Sequence, residues 1–195
     1  MSNEFTPKAI RRFRFSELKS EPTRLSIFED WVTNMTMEKD GEYGEDRIVD
    51  GKVIPGFWSW ILEQNEDPEF LASDLYGTFV WMHYFTGVVI ATGTIAPDDR
   101  FVKRDNNLGG DGLWGGVNVR SGHGLRGQGI GRRIVKELDE HVASFAQTQS
   151  RIFHLFTANP IAERMYVNLG YERNGMINTD AFGDERLLTK IYHQS

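Results

Sequence analysis

The sequence predicts a mixed α/β fold, with one central mixed sheet of about six to seven strands flanked by about four helices. Three observations point there. A strand-like run at 113–119 passes through a glycine-rich turn straight into an amphipathic segment at 130–146. A second strand-like run, 152–156, leads into a segment opened by Pro160 and closed by Gly170, the positions where proline starts and glycine ends a helix. Two further runs, 78–84 and 88–95, are rich in β-branched and aromatic residues and joined by Thr86-Gly87, which predicts a hairpin.

The elements follow in order. Residues 9–15 set Arg11, Arg12 and Arg14 against Phe13 and Phe15, a strand with one exposed face. Leu25, Phe28, Trp31, Val32 and Met35 recur at helical spacing, so 25–37 is a helix, with Pro22 and Thr23 at its start. Residues 37–52 are polar and acidic and carry Gly41, Gly44 and Gly51, and are read as a long surface loop. Residues 55–65 hold Trp58, Trp60, Ile61 and Leu62, a short second helix whose tryptophans either enter the core or cover a substrate groove. After the hairpin comes a loop at 97–112, with Asn106-Asn107 and Gly109-Gly110 as turn pairs. Leu113, Val117 and Val119 share one face of the next strand. Ile134, Val135, Leu138, Val142 and Phe145 form the apolar stripe of the 130–146 helix. A helix at 160–169 and strands at 171–177 and 185–192 close the chain. A length of 195 residues fits a single domain spanning 1–195.

Composition narrows the function. The net charge is −6 and the pI about 5.4, which argues against nucleic-acid binding through phosphates. The absence of cysteine excludes a disulfide framework, a thiolate zinc site and a cysteine nucleophile, and no metal site is expected. The apolar region 79–95 is broken by His83, Thr86, Gly87, Thr92 and Gly93, too polar for a membrane helix. With no signal-like stretch at the N-terminus, a cytoplasmic location and no membrane partner are expected.

Between residues 117 and 138 the chain reads VNVRSGHGLRGQGIGRRIVKEL, with glycines at Gly122, Gly124, Gly127, Gly129 and Gly131 between strand and helix. The first amides of a helix lack intrahelical partners, and the helix dipole adds positive charge there. Together they form an anion site suited to a diphosphate. Glycine lets the ligand approach the backbone, and Arg132 and Arg133 add charge. A flexible cap that binds nothing is the plain alternative. The Walker pattern fails, because Ile130 and Gly131 stand where lysine and serine or threonine belong. Gly122, Gly124 and Gly127 match G-x-G-x-x-G, but Phe156, Thr157, Ala158 and Asn159 supply no acid at the end of the next strand.

Arg126, Gly129 and Gly131 give R-x-x-G-x-G, and with this loop the chain resembles the GNAT superfamily of acyl-CoA-dependent N-acyltransferases. A second segment, 159–171, NPIAERMYVNLGY, resembles that family's N-x-x-A-x-x-[LM]-Y-x-x-x-G-[FY], with Asn159, Ala162, Met165, Tyr166, Gly170 and Tyr171 in place. The resemblance implies acetyl-CoA as cosubstrate and transfer of its acetyl (acyl) group to an amine. It implies that the backbone of Val117, Asn118 and Val119 meets the pantetheine arm and the thioester carbonyl. It implies that Arg126, Gly127, Gln128, Gly129, Ile130, Gly131 and Arg132 hold the pyrophosphate, that Asn159 contacts the cofactor arm, and that Tyr166 is the general acid at the sulfur. A phenol with an ordinary pKa near 10 keeps its proton at neutral pH. The link from Val119 to Arg126 is longer than is usual in that family. Glu17, His83, Asp98, Asp99 and His154 are candidates for the general base, or water carries the proton. The acceptor is a small-molecule or peptide amine, and the acidic balance favours a cationic one. A homodimer is compatible with this reading. A non-catalytic coenzyme A-binding module on the same fold is the alternative, and a nucleotide-binding protein using the same loop is a third.

Overall fold

The computed structural model describes residues 9–37, 47–49, 52–54, 66–97, 112–119, 127–147, 150–179 and 183–194. In chain order the elements are β1 (Ile10–Arg14), α1 (Phe15–Leu18), α2 (Pro22–Met37), β2 (Arg47–Val49), β3 (Lys52–Ile54), α3 (Pro68–Ala72), β4 (Gly77–His83), β5 (Val89–Pro97), β6 (Gly112–Val119), α4 (Ile130–Ser144), β7 (Arg151–Thr157), α5 (Pro160–Val167), β8 (Glu172–Thr179) and β9 (Gly183–Tyr192). Seven strands form one sheet in the order β1-β4-β5-β6-β7-β9-β8. Neighbours are antiparallel except β6 and β7, which run parallel.

The period-two pattern of β4 puts apolar side chains on both faces of the sheet. Phe79 and Trp81 point to one face, Val80 and Met82 to the other, and every residue of β4 is buried. On the first face Phe79, Trp81, Ile95, Leu113, Phe153 and Leu155 pack against Ile134, Val135, Leu138 and Val142 of α4, with Tyr166 and Tyr171 in the same cluster. On the second, Val80, Met82, Val89 and Ala96 pack under Phe15, Leu18, Phe28, Trp31 and Val32. The helices therefore cover both faces of the sheet, each with its own apolar cluster.

The structure differs from the sequence reading in three places. The stretch read as one loop at 37–52 contains β2, which pairs with β3 in the register Arg47↔Ile54, Ile48↔Val53, Val49↔Lys52. β-Branched residues on both sides favour pairing over loop. Helix α1 is a single turn, held by the Arg14 N–H donating to Glu17 Oε2 at 2.7 Å. Helix α3 is similarly short, and the Phe70 N–H reaches Asp67 Oδ1 at 3.4 Å. The expected helix at 55–65, with Trp58 and Trp60, and the loop core at 98–111 lie outside the described residues.

Candidate functional site

The parallel pair β6 and β7 does not stay together. It is in register from Gly112↔Ile152 to Gly115↔Leu155. β6 goes on pairing with β5 as far as Val119↔Ala91, and β7 with β9 as far as Thr157↔Arg186. Among the described residues no β6–β7 pair follows Gly115↔Leu155, so the strands part over residues 116–119 and 156–157. Gly115 marks the branch point. A Cβ there would lie 2.2 Å from Phe153 Cζ and 2.8 Å from Leu155 Cδ2, so those side chains occupy the space a side chain at 115 would need. The ends of both strands lead to helices, β6 toward α4 and β7 directly into α5. Crevices at the carboxyl ends of parallel strands are where open sheets accept ligands.

At the α4 side, Gly129 is the N-cap in a left-handed conformation (φ 73°), and Gly127 has φ 76°. Among the described residues a Cβ at either would meet nothing within 4 Å, so none of them covers the bare backbone. Gly129 offers no side-chain cap, and the first turn holds no acidic residue. The first intrahelical bond runs from the Arg133 N–H to the Gly129 carbonyl at 3.0 Å, which leaves the amides of Ile130, Gly131 and Arg132 ahead of the helical ladder. Ile130 is buried and anchors the turn, while Gln128 and Arg132 are exposed. An anion fits this end sterically and electrostatically. Arg126 lies outside the described residues.

Arg133 does not join this site. Its Nε donates to Glu137 Oε1 at 2.7 Å and its Nη2 to the Ile10 carbonyl at 3.2 Å. Glu137 also accepts from Trp81 Nε1 at 2.8 Å. The expected phosphate contact is instead a strut between α4, β1 and β4.

At the α5 side, Asn159 is the N-cap. Its Oδ1 accepts from Ile161 N at 2.9 Å and Ala162 N at 3.4 Å, and Pro160 follows at N1. The cap uses the oxygen, which leaves Nδ2 as the donor with which this side chain could reach a ligand. Two turns on, Tyr166 is buried, and its ring centroid lies 5.8 Å from that of Tyr171. Burial, reinforced by the carboxylate of Glu185, pushes its phenol up to about 12, not the ordinary value near 10. The proton is held more firmly than the sequence suggested, because a phenolate would be poorly solvated there.

On β6, Val117 pairs with Gly93, Asn118 with Thr92 and Val119 with Ala91. Three of the candidate bases, His154, His83 and Glu17, have partners of their own. His154 is buried with Nδ1 3.0 Å from Thr189 Oγ1, and burial lowers its pKa to about 4. His83 Nδ1 is 2.9 Å from Thr86 Oγ1, and Glu17 caps α1. Asp98 and Asp99 lie outside the described residues. No group of three or more potential metal-binding side chains occurs among the described residues, nor does a helix long and apolar enough to cross a membrane.

One cluster the sequence reading missed sits behind the site. Asp139, buried on α4, accepts from the hydroxyls of Tyr171 (2.5 Å) and Tyr192 (2.6 Å) and from Lys190 Nζ (2.7 Å). Asp139 falls at 4-residue helical spacing behind Val135 and next to Leu138, inside the buried stripe, and an acid at such a position was the available signal.

The acetyltransferase (GNAT) family model matches residues 46–171. No curated protein is similar enough in sequence to match the chain. Among solved structures, a GCN5-related N-acetyltransferase from Kribbella flavida has a TM-score of 0.54 at 16% identity, covering 95% of this chain and 99% of that one. A ribosomal-protein-alanine N-acetyltransferase from Brucella melitensis has a TM-score of 0.51 at 22% identity, covering 93% and 98%. A phosphinothricin acetyltransferase from Sinorhizobium meliloti, solved in complex with acetyl-CoA, has a TM-score of 0.53 at 16% identity, covering 94% and 88%. At these identities the likeness establishes the fold.

Proposed function

The chain belongs to the acetyltransferase (GNAT) family, an acetyl-CoA-dependent acyltransferase, and on that premise we propose that the gap between β6 and β7 is where acetyl-CoA and an amine meet. The observation that carries the proposal is the parting of those strands after Gly115↔Leu155, between the open amides of α4 and the start of α5.

In this reading the amides of Gly127, Gln128, Gly129, Ile130, Gly131 and Arg132 hold the diphosphate, with Arg126 and the Arg132 side chain adding charge. The pantetheine arm lies along the backbone of Val117, Asn118 and Val119 on the edge that β7 has left, and Asn159 Nδ2 contacts it. The thioester supplies an activated acyl group. The acceptor's neutral amine nitrogen forms a bond to the carbonyl carbon, and a β6 N–H stabilises the charge that develops on the oxygen. The carbon–sulfur bond then breaks while Tyr166 donates a hydrogen bond to the leaving sulfur, and the proton lost by the amine passes through water to that sulfur, so that the thiol leaves neutral and the phenol keeps its own proton. Alignment of the two reactants supplies much of the rate. Residues 1–195 act as one catalytic domain in the cytoplasm, and the acceptor is a small cationic amine or a peptide amine.

The test is thiol release from acetyl-CoA against a panel of amines: amino acids, polyamines, aminoglycosides and peptide N-termini. With the best acceptor, Tyr166→Phe should lower kcat by about 10²- to 10⁴-fold while coenzyme A binding stays at the wild-type value. Unchanged kcat would remove Tyr166 from the mechanism, and coenzyme A binding without turnover on any amine would favour a binding module.

A further inference from the structure

We infer that Asp139, acting through Tyr171, is a positioning residue for Tyr166. This rests on the reading of Tyr166 as the acid at the sulfur.

The contacts form a continuous path. Asp139 lies nine residues beyond Ile130 on α4, about 13 Å along the axis from the amides proposed to hold the diphosphate. Its Oδ1 accepts the Tyr171 hydroxyl at 2.5 Å. Tyr171 in turn touches Tyr166 twice: the rings are 5.8 Å apart, and the Tyr171 N–H donates to the Tyr166 carbonyl at 3.1 Å. Lys190 completes the clamp, donating to Asp139 Oδ2 at 2.7 Å and to the Leu169 carbonyl at 2.8 Å, just past the end of α5. One carboxylate on the helix that would hold the cofactor's phosphates thus fixes the C-terminal end of the helix that carries Tyr166. The distance between diphosphate and phenol is then set by a short chain of directional bonds.

A cluster of this kind could serve stability alone. Three considerations argue for more. The carboxylate is buried, and a buried charge with its partners is a costly way to join two elements when apolar packing would do. The bonds converge on α5 and its exit turn as well as on the sheet. Finally, α5 has only eight residues and needs tertiary contacts to hold one orientation.

Tyr192 provides the control, because its hydroxyl also bonds Asp139 Oδ1, at 2.6 Å, beside the hydroxyl of Tyr171, whereas the described ring contact with Tyr166 is made by Tyr171. The experiment compares Tyr171→Phe, Tyr192→Phe and Tyr166→Phe. Thermal unfolding is measured, together with kcat and KM for acetyl-CoA, using thiol release with the best amine of the panel or, where no amine serves, with water as acceptor. Both Tyr171→Phe and Tyr192→Phe should lower Tm by a few degrees. Only Tyr171→Phe should lower kcat, by about ten- to hundredfold, as a small misplacement of a reacting group does, with KM for acetyl-CoA within about twofold of wild type. A purely structural bond would move Tm and leave kcat alone. Equal kcat in Tyr171→Phe and Tyr192→Phe, with Tyr166→Phe impaired, overturns this inference and spares the assignment of Tyr166. Full activity in Tyr166→Phe overturns both.

Discussion

Replacing Gly129 with alanine tests the diphosphate cradle, and the structure separates its two effects. Gly129 has φ 73°, and a Cβ there would touch nothing within 4 Å among the described residues. The cost to the fold is then the strain of an L-residue in the left-handed region, about 1–2 kcal/mol. For a chain of this size that corresponds to a fall in Tm of about 2–8 °C. The added methyl group projects into the space proposed for the diphosphate, and displacing one charged oxygen from its N–H donor costs about 1.5–3 kcal/mol, roughly ten- to hundredfold in Kd. Gly175, on β8, is the matched control: its φ is 94°, and a Cβ there also meets nothing within 4 Å among the described residues. Calorimetric titration with coenzyme A and thermal unfolding of both variants decide the matter. Both should lose stability, and Gly129→Ala alone should lose affinity. If Gly129→Ala unfolds earlier yet binds coenzyme A as tightly as wild type, the diphosphate does not sit on this turn.

Two further outcomes follow from other parts of the site. Asn159→Ala should lose the helix cap, about 1 kcal/mol, together with the Nδ2 contact, whereas Asn159→Ser keeps a cap oxygen and removes only Nδ2. The serine variant should therefore hold its Tm while KM for acetyl-CoA rises about two- to tenfold; an unchanged KM would leave Asn159 as a cap alone. His154 links stability to pH: burial lowers its pKa from 6.5 to about 4, so the unfolded chain binds the proton first, and its contribution is full above pH 6.5 and lost as pH falls toward 4. Between pH 8 and pH 5 that loss is about 2 kcal/mol at most, from 1.36 kcal/mol per unit. Urea unfolding at the two pH values should show His154→Asn losing less than wild type on acidification, and parallel losses would show that His154 is not held neutral.

Much of the frame was legible in sequence because it is written in local periodicity. The stripe on α4, the bounds of α5 between Pro160 and Gly170, and the β4–β5 hairpin all depend on near neighbours. Helices α1 and α3 were not seen, because four and five residues are too few for a 3.6-residue period to declare itself. The β2–β3 hairpin does carry its signal, Asp50-Gly51 between Ile48-Val49 and Val53-Ile54, but the acidic, glycine-bearing composition around it is that of a loop. Contacts across the chain were illegible in principle. Arg133 serves Ile10 at a separation of 123 residues, and Asp139 serves Tyr171 and Tyr192 at 32 and 53. The branch in the sheet also depends on such a meeting, since Gly115 matters only once Phe153 lies against it.

The raised phenol of Tyr166 bears on how an acid can serve this reaction. An ordinary thiol has a pKa near 8.5, and Tyr166 stands at about 12, so complete transfer of its proton to a separated thiolate would be uphill by about 5 kcal/mol at 1.36 kcal/mol per unit. Such a group contributes best while the carbon–sulfur bond is breaking, when its O–H can donate to a sulfur gaining charge without the proton having to leave for good. That contribution is directional, and it fades with small errors of distance and angle. In the proposed mechanism, the burial that disfavours the phenolate thus shifts the demand on Tyr166 from acidity to placement. A carboxylate on α4 that fixes the exit of α5 through Tyr171 and Lys190 answers that demand, because it ties the phenol to the same helix whose first amides would hold the other end of the cofactor.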